Sequence, residues 1–430
     1  MSCTSLRSKF RTDLHWNLSG FLVIALCGLS MNLLLTRYYG FEGLGYFNLL
    51  LVFFLVLSQL LSWGIHLSVQ KLIPQYRSQP HLCRQLFSSA LLISTGLGAL
   101  GVLLLYLLKD LPGRLMGDSL LQKGFLYCLP GIVFSVVNRI FLSFLNGMRL
   151  MRSYALYTAL KVLLLLLFLG LLLVQKTDLV YLGLIFSFSE ILLALLLLQS
   201  TGKWLTPLRP ARFRKLLRLH FWYGNRGMPG NVVTNFQSKL DIFILGYFVS
   251  DGMLGVYSFA VFVADGFLQL SYMFRGLVNP LLTSMYFDRP PLLLQRFLGR
   301  SIRRFYRLFL LLGLLLALGY PAFLILFGIT EQLQANLLLF YLLLLGVLLS
   351  SGYLPFQFFF NQVGRPAEQT RFLGSLFAVT CVLLLLLVPI AGAYGAAAGL
   401  LLANLYQLLY LRRGMAQLLS RRLSVGQELR

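Results

Sequence analysis

Arg139, in GIVFSVVNRIFLSF, and Lys161, in YTALKVLLLLLFLGLLLV, are full positive charges inside otherwise apolar runs. A charge in such surroundings is energetically costly and marks a functional site by default. Both stand eleven residues from Leu150, which lies in a short connection, so on a helical hairpin they share a depth. Two cations at one depth repel unless water or an anion lies between them, and a phosphate-bearing ligand would supply the anion. The rival reading is snorkelling, in which each long stem carries its charge back to the interface.

Arg37, Arg226 and Lys239 are further cations beside or within apolar sequence. On a 100° wheel, Asn231, Thr234, Asn235 and Ser238 fall on one arc with Arg226 and Lys239, which predicts a helix with one wet face. Three acids, Asp241, Asp265 and Glu190, also lie in apolar segments. Each serves either as a structural partner for a cation or as a carrier for a coupling ion, H+ or Na+. The five Cys and four His form no metal-ligand spacing, and no phosphate-binding GxxxxGK[ST] loop occurs. The expectation is therefore no catalytic centre, no bound metal and no cofactor.

The elements that position these residues follow from composition. With 58% hydrophobic and 12% charged residues and a mean hydropathy of +0.79, the chain reads as an all-α polytopic membrane protein. Twelve apolar segments are predicted, the first at 18–36, the seventh at 222–249 and the eighth at 253–273. The first is read as an uncleaved helix, because its apolar run is long enough to span and no small-residue cleavage motif ends it. The net charge of +24 is topological: 28 of the 37 Lys and Arg fall on the side shared by both termini and five on the other. That bias puts both termini in the cytoplasm and argues against nucleic acid as a partner. Seven of the 28 belong to the connection that begins after Met273. The expected organisation is an N-terminal six-helix lobe at 1–199, a basic cytoplasmic linker at 200–220, a C-terminal six-helix lobe at 221–411 and a basic cytoplasmic tail at 412–430. The linker is either an amphipathic stretch on anionic headgroups or an ordinary basic connection.

The halves resemble each other. GFEGLGYFNLLLVFF from Gly40 matches VSDGMLGVYSFAVFV from Val249, and FLSFLNG from Phe141 matches FQFFFNQ from Phe356. A six-plus-six parallel repeat implies two bundles facing across a cleft that opens to each side in turn. TRYYGFEGLGYFN at 36–48, the polar seventh segment leading into KLDIFILGYFVSDGMLGVYS, and QVGRPAEQTR at 362–371 resemble motifs of the O-antigen-type lipid-linked oligosaccharide flippases, in the MATE-like multidrug/oligosaccharidyl-lipid/polysaccharide exporter superfamily. The resemblance covers nearly the whole chain and makes Arg37, Gly45, Asp241, Gly255 and Arg365 family-like positions. It implies movement of an undecaprenyl-pyrophosphate-linked oligosaccharide from the cytoplasmic to the external leaflet of a bacterial inner membrane, for cell-surface polysaccharide synthesis. Implied partners are that lipid-linked glycan, membrane lipids and polysaccharide polymerase or assembly proteins. Arg139, Lys161, Arg226, Lys239 and Arg37 would line a cationic substrate cavity. The alternatives are a cation-coupled multidrug antiporter of the same superfamily and a membrane glycan polymerase or ligase, although the external loops read as too short for catalysis.

Overall fold

Lipid leaves a backbone only its own hydrogen bonds, so the apolar runs fold as helices. The computed structural model describes residues 3–110, 119–237, 239–330 and 332–428, and among these residues the regular structure is helical throughout. The chain divides into two compact units, Met1–Lys239 and Leu240–Arg430. The first holds α1 (Cys3–Leu61), α2 (Ile65–Gln75), α3 (Pro80–Leu107), α4 (Ser119–Gly147), α5 (Met151–Val174), α6 (Leu182–Thr201) and α7 (Pro210–Gln237). The second holds α8 (Leu240–Phe248), α9 (Asp251–Asp288), α10 (Pro291–Leu326), α11 (Leu333–Ser350), α12 (Phe359–Gln362) and α13 (Pro366–Glu428).

Nine helices among the described residues are long and apolar enough to cross a bilayer. Two of them do so twice. The stretches Leu22–Leu61 and Pro366–Ser420 have 40 and 55 residues, about 60 and 80 Å of helix against a hydrocarbon core of about 30 Å. Each bends at a glycine in the left-handed region, Gly40 at φ 68° and Gly392 at φ 54°, a conformation that an L side chain resists. Counting both halves of each gives eleven spans among the described residues, and the predicted seventh segment at 222–249 falls across α7 and α8. Along α3 and α10, Leu100, Leu103, Leu104, Leu107, Leu310, Leu311, Leu314 and Leu318 are each more than half exposed. In water such stripes would be aggregation surfaces; against acyl chains they are solvated.

Close helix packing positions the polar residues of the first unit. Gly131 and Asn138, seven residues apart on α4, both face α6, while a Cβ at Gly124 would strike the Tyr46 hydroxyl on α1. A Cβ at Gly131 would sit 2.8 Å from the Ser187 Cα, and one at Gly183 would strike the Gly124 carbonyl, so the backbones approach as small residues allow. The Gly131 amide donates to Ser187 Oγ at 2.9 Å, and that hydroxyl donates to the Tyr127 carbonyl at 2.5 Å.

The expected linker differs from the structure. Much of 200–220 is helical, with α7 starting at Pro210, and α7 packs on α2 and α3 within the first unit. Phe213, Leu217 and Phe221 join the core around Phe87, Phe141 and Phe144. His220 is fully buried, with Nδ1 2.5 Å from Ser68 Oγ and Nε2 3.0 Å from Ser89 Oγ. These contacts tie the basic stretch to the first unit, so the boundary between units falls at Lys239 rather than before Phe221.

Candidate functional site: a buried charge cluster and a stacked arginine

Lys161 on α5 ends 2.5 Å from Glu190 Oε1 on α6; Glu190 is 1% exposed and Lys161 28%. The second oxygen, Oε2, accepts from Asn138 Nδ2 at 2.7 Å, and the same amide reaches the Glu190 carbonyl at 2.9 Å. Glu190 thus finds a cation and a neutral donor at the end of the glycine-lined α4/α6 seam. Arg139, next in sequence, points about 100° away around α4. It donates from Nη1 to Gln59 Oε1 and from Nη2 to Ser58 Oγ at 3.2 Å, both on α1. Arg139 Nε and Gln59 Nε2 are buried with no hydrogen-bond partner among the described residues.

The two expected cations do meet in one region, but with different partners. Lys161 is neutralised by Glu190, whereas Arg139 bonds to neutral acceptors. Among the described residues, one net positive charge therefore remains in a cluster built from α1, α4, α5 and α6. Such an arrangement favours an anion, because a guanidinium offers paired donors to phosphate oxygens and holds its charge at any physiological pH.

The other expected residues lie apart from this cluster or outside its description. Arg37 is exposed, three residues before the Gly40 bend. Arg226 is exposed, its guanidinium 3.9 Å above the Trp222 ring one turn earlier on α7. Lys239 is half-buried in the break after α7. Asp241, 4% exposed, accepts from Tyr257 Oη at 2.8 Å, and Asp265 is half-buried on α9. Asn231, Thr234 and Asn235 belong to α7, but their side chains, like the whole of Ser238, lie outside the described residues. Arg365 pairs with Glu368 at 2.8 Å.

In the second unit the structure adds a residue that the spacing did not mark. Arg275, counted by sequence in a cytoplasmic connection, lies inside α9, which continues to Asp288. Its Nη1 donates to Gln357 Oε1 at 2.8 Å, and its Cζ lies 4.4 Å from the Tyr272 ring centre and 4.8 Å from that of Phe358. The available signal was the apolar sequence LVNPLLTSMYF resuming just after it. In the first unit, Gln59 was likewise visible as a lone amide in LLLVFFLVLSQLLSW.

A family model described as polysaccharide biosynthesis protein matches residues 11–286. The chain belongs to that family. A comparison with the curated proteins gives no match. Among solved structures, the lipid II flippase MurJ in an inward closed conformation aligns at TM-score 0.74 and 17% identity, over 94% of this chain and 87% of that one. A multidrug resistance MATE family transporter of the MOP superfamily, inward-facing, aligns at 0.72 and 15% identity over 93% and 96%. A point mutant of the Vibrio cholerae MATE transporter VcmN aligns at 0.64 and 14% over 96% and 98%. At these identities the likeness is one of fold. This member of the polysaccharide biosynthesis family is thus a polytopic membrane protein of MATE-like fold.

Proposed function

We propose that the protein flips an undecaprenyl-pyrophosphate-linked oligosaccharide from the cytoplasmic to the external leaflet of a bacterial inner membrane, by alternating access, as a transporter rather than an enzyme. The observation that carries this reading is Arg139: an arginine in the membrane interior, bonded to neutral Gln59 and Ser58, in a family of polysaccharide biosynthesis proteins. A diphosphate is the anion that such a group suits best, and Arg275, stacked on Tyr272 and Phe358, offers a comparable charge in the second unit. MurJ, similar in fold, is a lipid II flippase. With the cell interior negative, outward movement of phosphate is favoured by about 2.3 kcal/mol per charge per 100 mV. Glu190 is paired with Lys161; Asp241, bonded to Tyr257, and Asp265 are the acids we assign to H+ or Na+ coupling. The flipped glycan then passes to polymerase or assembly proteins.

Deletion of the gene tests the reading. Lipid-linked repeat units should accumulate on the inner leaflet, and the wild-type gene should restore export. Arg139→Lys should retain partial export and Arg139→Gln should lose about tenfold or more, at matched protein levels, since a charge-assisted bond to phosphate is worth about 1.5–3 kcal/mol. Normal export from the deletion strain, or full export by Arg139→Gln, would sink it.

A further inference from the structure

Beside the core of the first unit lies a groove of about 610 Å³, outside the charge cluster, between α7 and the start of α3. Its volume is that of a site for a single small ligand. Arg212, Lys215 and Arg218 recur at helical spacing on α7 and are all exposed, while Leu82, Leu216 and Trp222 supply an apolar floor. The buried His220 between Ser68 and Ser89 fixes the rotation of α7 that turns these cations into the groove. The charge there is uncompensated in sequence: no Asp or Glu occurs between Glu42 and Asp110, or between Glu190 and Asp241. The elements that form the groove carry several of the cations that the charge bias assigns to the cytoplasmic side, Arg77 and Arg84 as well as those of α7.

We propose that this groove binds one anionic phospholipid of the cytoplasmic leaflet, its phosphate held by Arg212, Lys215 and Arg218 and an acyl chain lying along Leu82, Leu216 and Trp222. A basic pocket between membrane helices at that surface is the setting in which acidic headgroups are held. A phospholipid suits the lining better than a lipid-linked glycan does. Beside the Trp222 indole, Gln85 and Tyr76 are the only uncharged polar side chains among the described lining residues, and sugars would go unsatisfied there. The bound lipid would brace the base of α7 against α3. This site is independent of the cargo proposed above.

The test uses the full chain, purified and delipidated in detergent, titrated with phosphatidylglycerol or phosphatidylcholine and read by native mass spectrometry. Wild type should retain phosphatidylglycerol in preference to phosphatidylcholine. R212Q/K215Q/R218Q should weaken that retention by about fivefold for each cation removed, whereas R296Q/R300Q/R304Q, which removes as many exposed charges from α10, should leave it within twofold. Leu82→Trp, which fills the groove with its cations in place, should also release the lipid and serves as the deciding arm if the triple variant is not monodisperse. Equal retention of both lipids by wild type, or equal losses in the two triple variants, overturns the proposal. So does displacement of phosphatidylglycerol by polyprenyl diphosphate or inorganic phosphate at the same concentration, which would assign the groove to the cargo or to a free anion.

Discussion

Removing the Lys161 amine leaves the Glu190 carboxylate, 1% exposed, with the Asn138 amide as the donor shown to reach it. Breaking one side of such a pair is worse than replacing both, because a buried charge then stands uncompensated. Lys161→Gln should therefore destabilise the protein by roughly 3 kcal/mol, at the lower end for a buried pair because Lys161 keeps a wet edge. Adding Glu190→Gln to it should recover much of the loss, and the recovery is read in thermal unfolding of the detergent-solubilised protein. If the double substitution loses the sum of the two single losses, the pair is not coupled. Both charges were legible in the sequence, since an ionised residue stands out in a leucine run. Their pairing was not, because the rotation of α5 and α6 about their axes is set by packing. Arg275 was hidden for a different reason: Gly276 and Pro280 follow it, and such residues signal a helix end in water, whereas neighbouring helices tolerate them in a bilayer.

Rotation at the element scale is fixed by where side chains are missing. Gly131 on α4 and Gly183 on α6 let the two helices meet backbone to backbone, and Asn138, one heptad past Gly131, inherits the same facing and finds Glu190. Gly131→Leu must push α6 away, since even a Cβ would lie 2.8 Å from the Ser187 Cα and 2.9 Å from the Phe186 carbonyl. Overpacking of this kind costs about 2 kcal/mol or more. It should also loosen the Asn138–Glu190 bond two turns away, so that export falls further than protein level does. Gly170→Leu on α5, where a Cβ meets nothing within 4 Å, is the matched control and should be silent in both assays. The heptad was present in the sequence as GIVFSVVN, although nothing there names α6 as its partner. The early start of α7 was obscured by its cations: six basic residues between Lys203 and Arg218 read as a linker, whereas Phe213, Leu217 and Phe221 give the same stretch an apolar face that packs in the core.

For the whole molecule, the helix plan was readable because apolar length alone dictates a crossing in lipid. The apolar runs at 18–36 and 44–69, and at 372–390 and 394–411, read as separate segments with Gly40 and Gly392 between them, and the structure bends at those glycines. Sidedness rests on charge. On the twelve-segment map of the sequence, the cations fall in the connections at α7, at the start of α10 and in the C-terminal tail, whereas Lys109, Lys123 and Lys176 fall almost alone in the connections of opposite parity. Because Lys and Arg are held back from translocation, the crowded side should face the cytoplasm. Cysteine labelling in intact cells checks this directly. Cys27, Cys83 and Cys128 are buried, so replacing Cys3 and Cys381 leaves a quiet background. In that background Lys123→Cys should react with a membrane-impermeant maleimide added outside, while Arg304→Cys should react only after permeabilisation; both positions are exposed. The opposite pattern would invert the molecule. It would place Arg212, Lys215 and Arg218 at the external leaflet, and the phospholipid groove and the outward direction of export would have to be abandoned together, since each depends on the same side of the chain facing the cytoplasm.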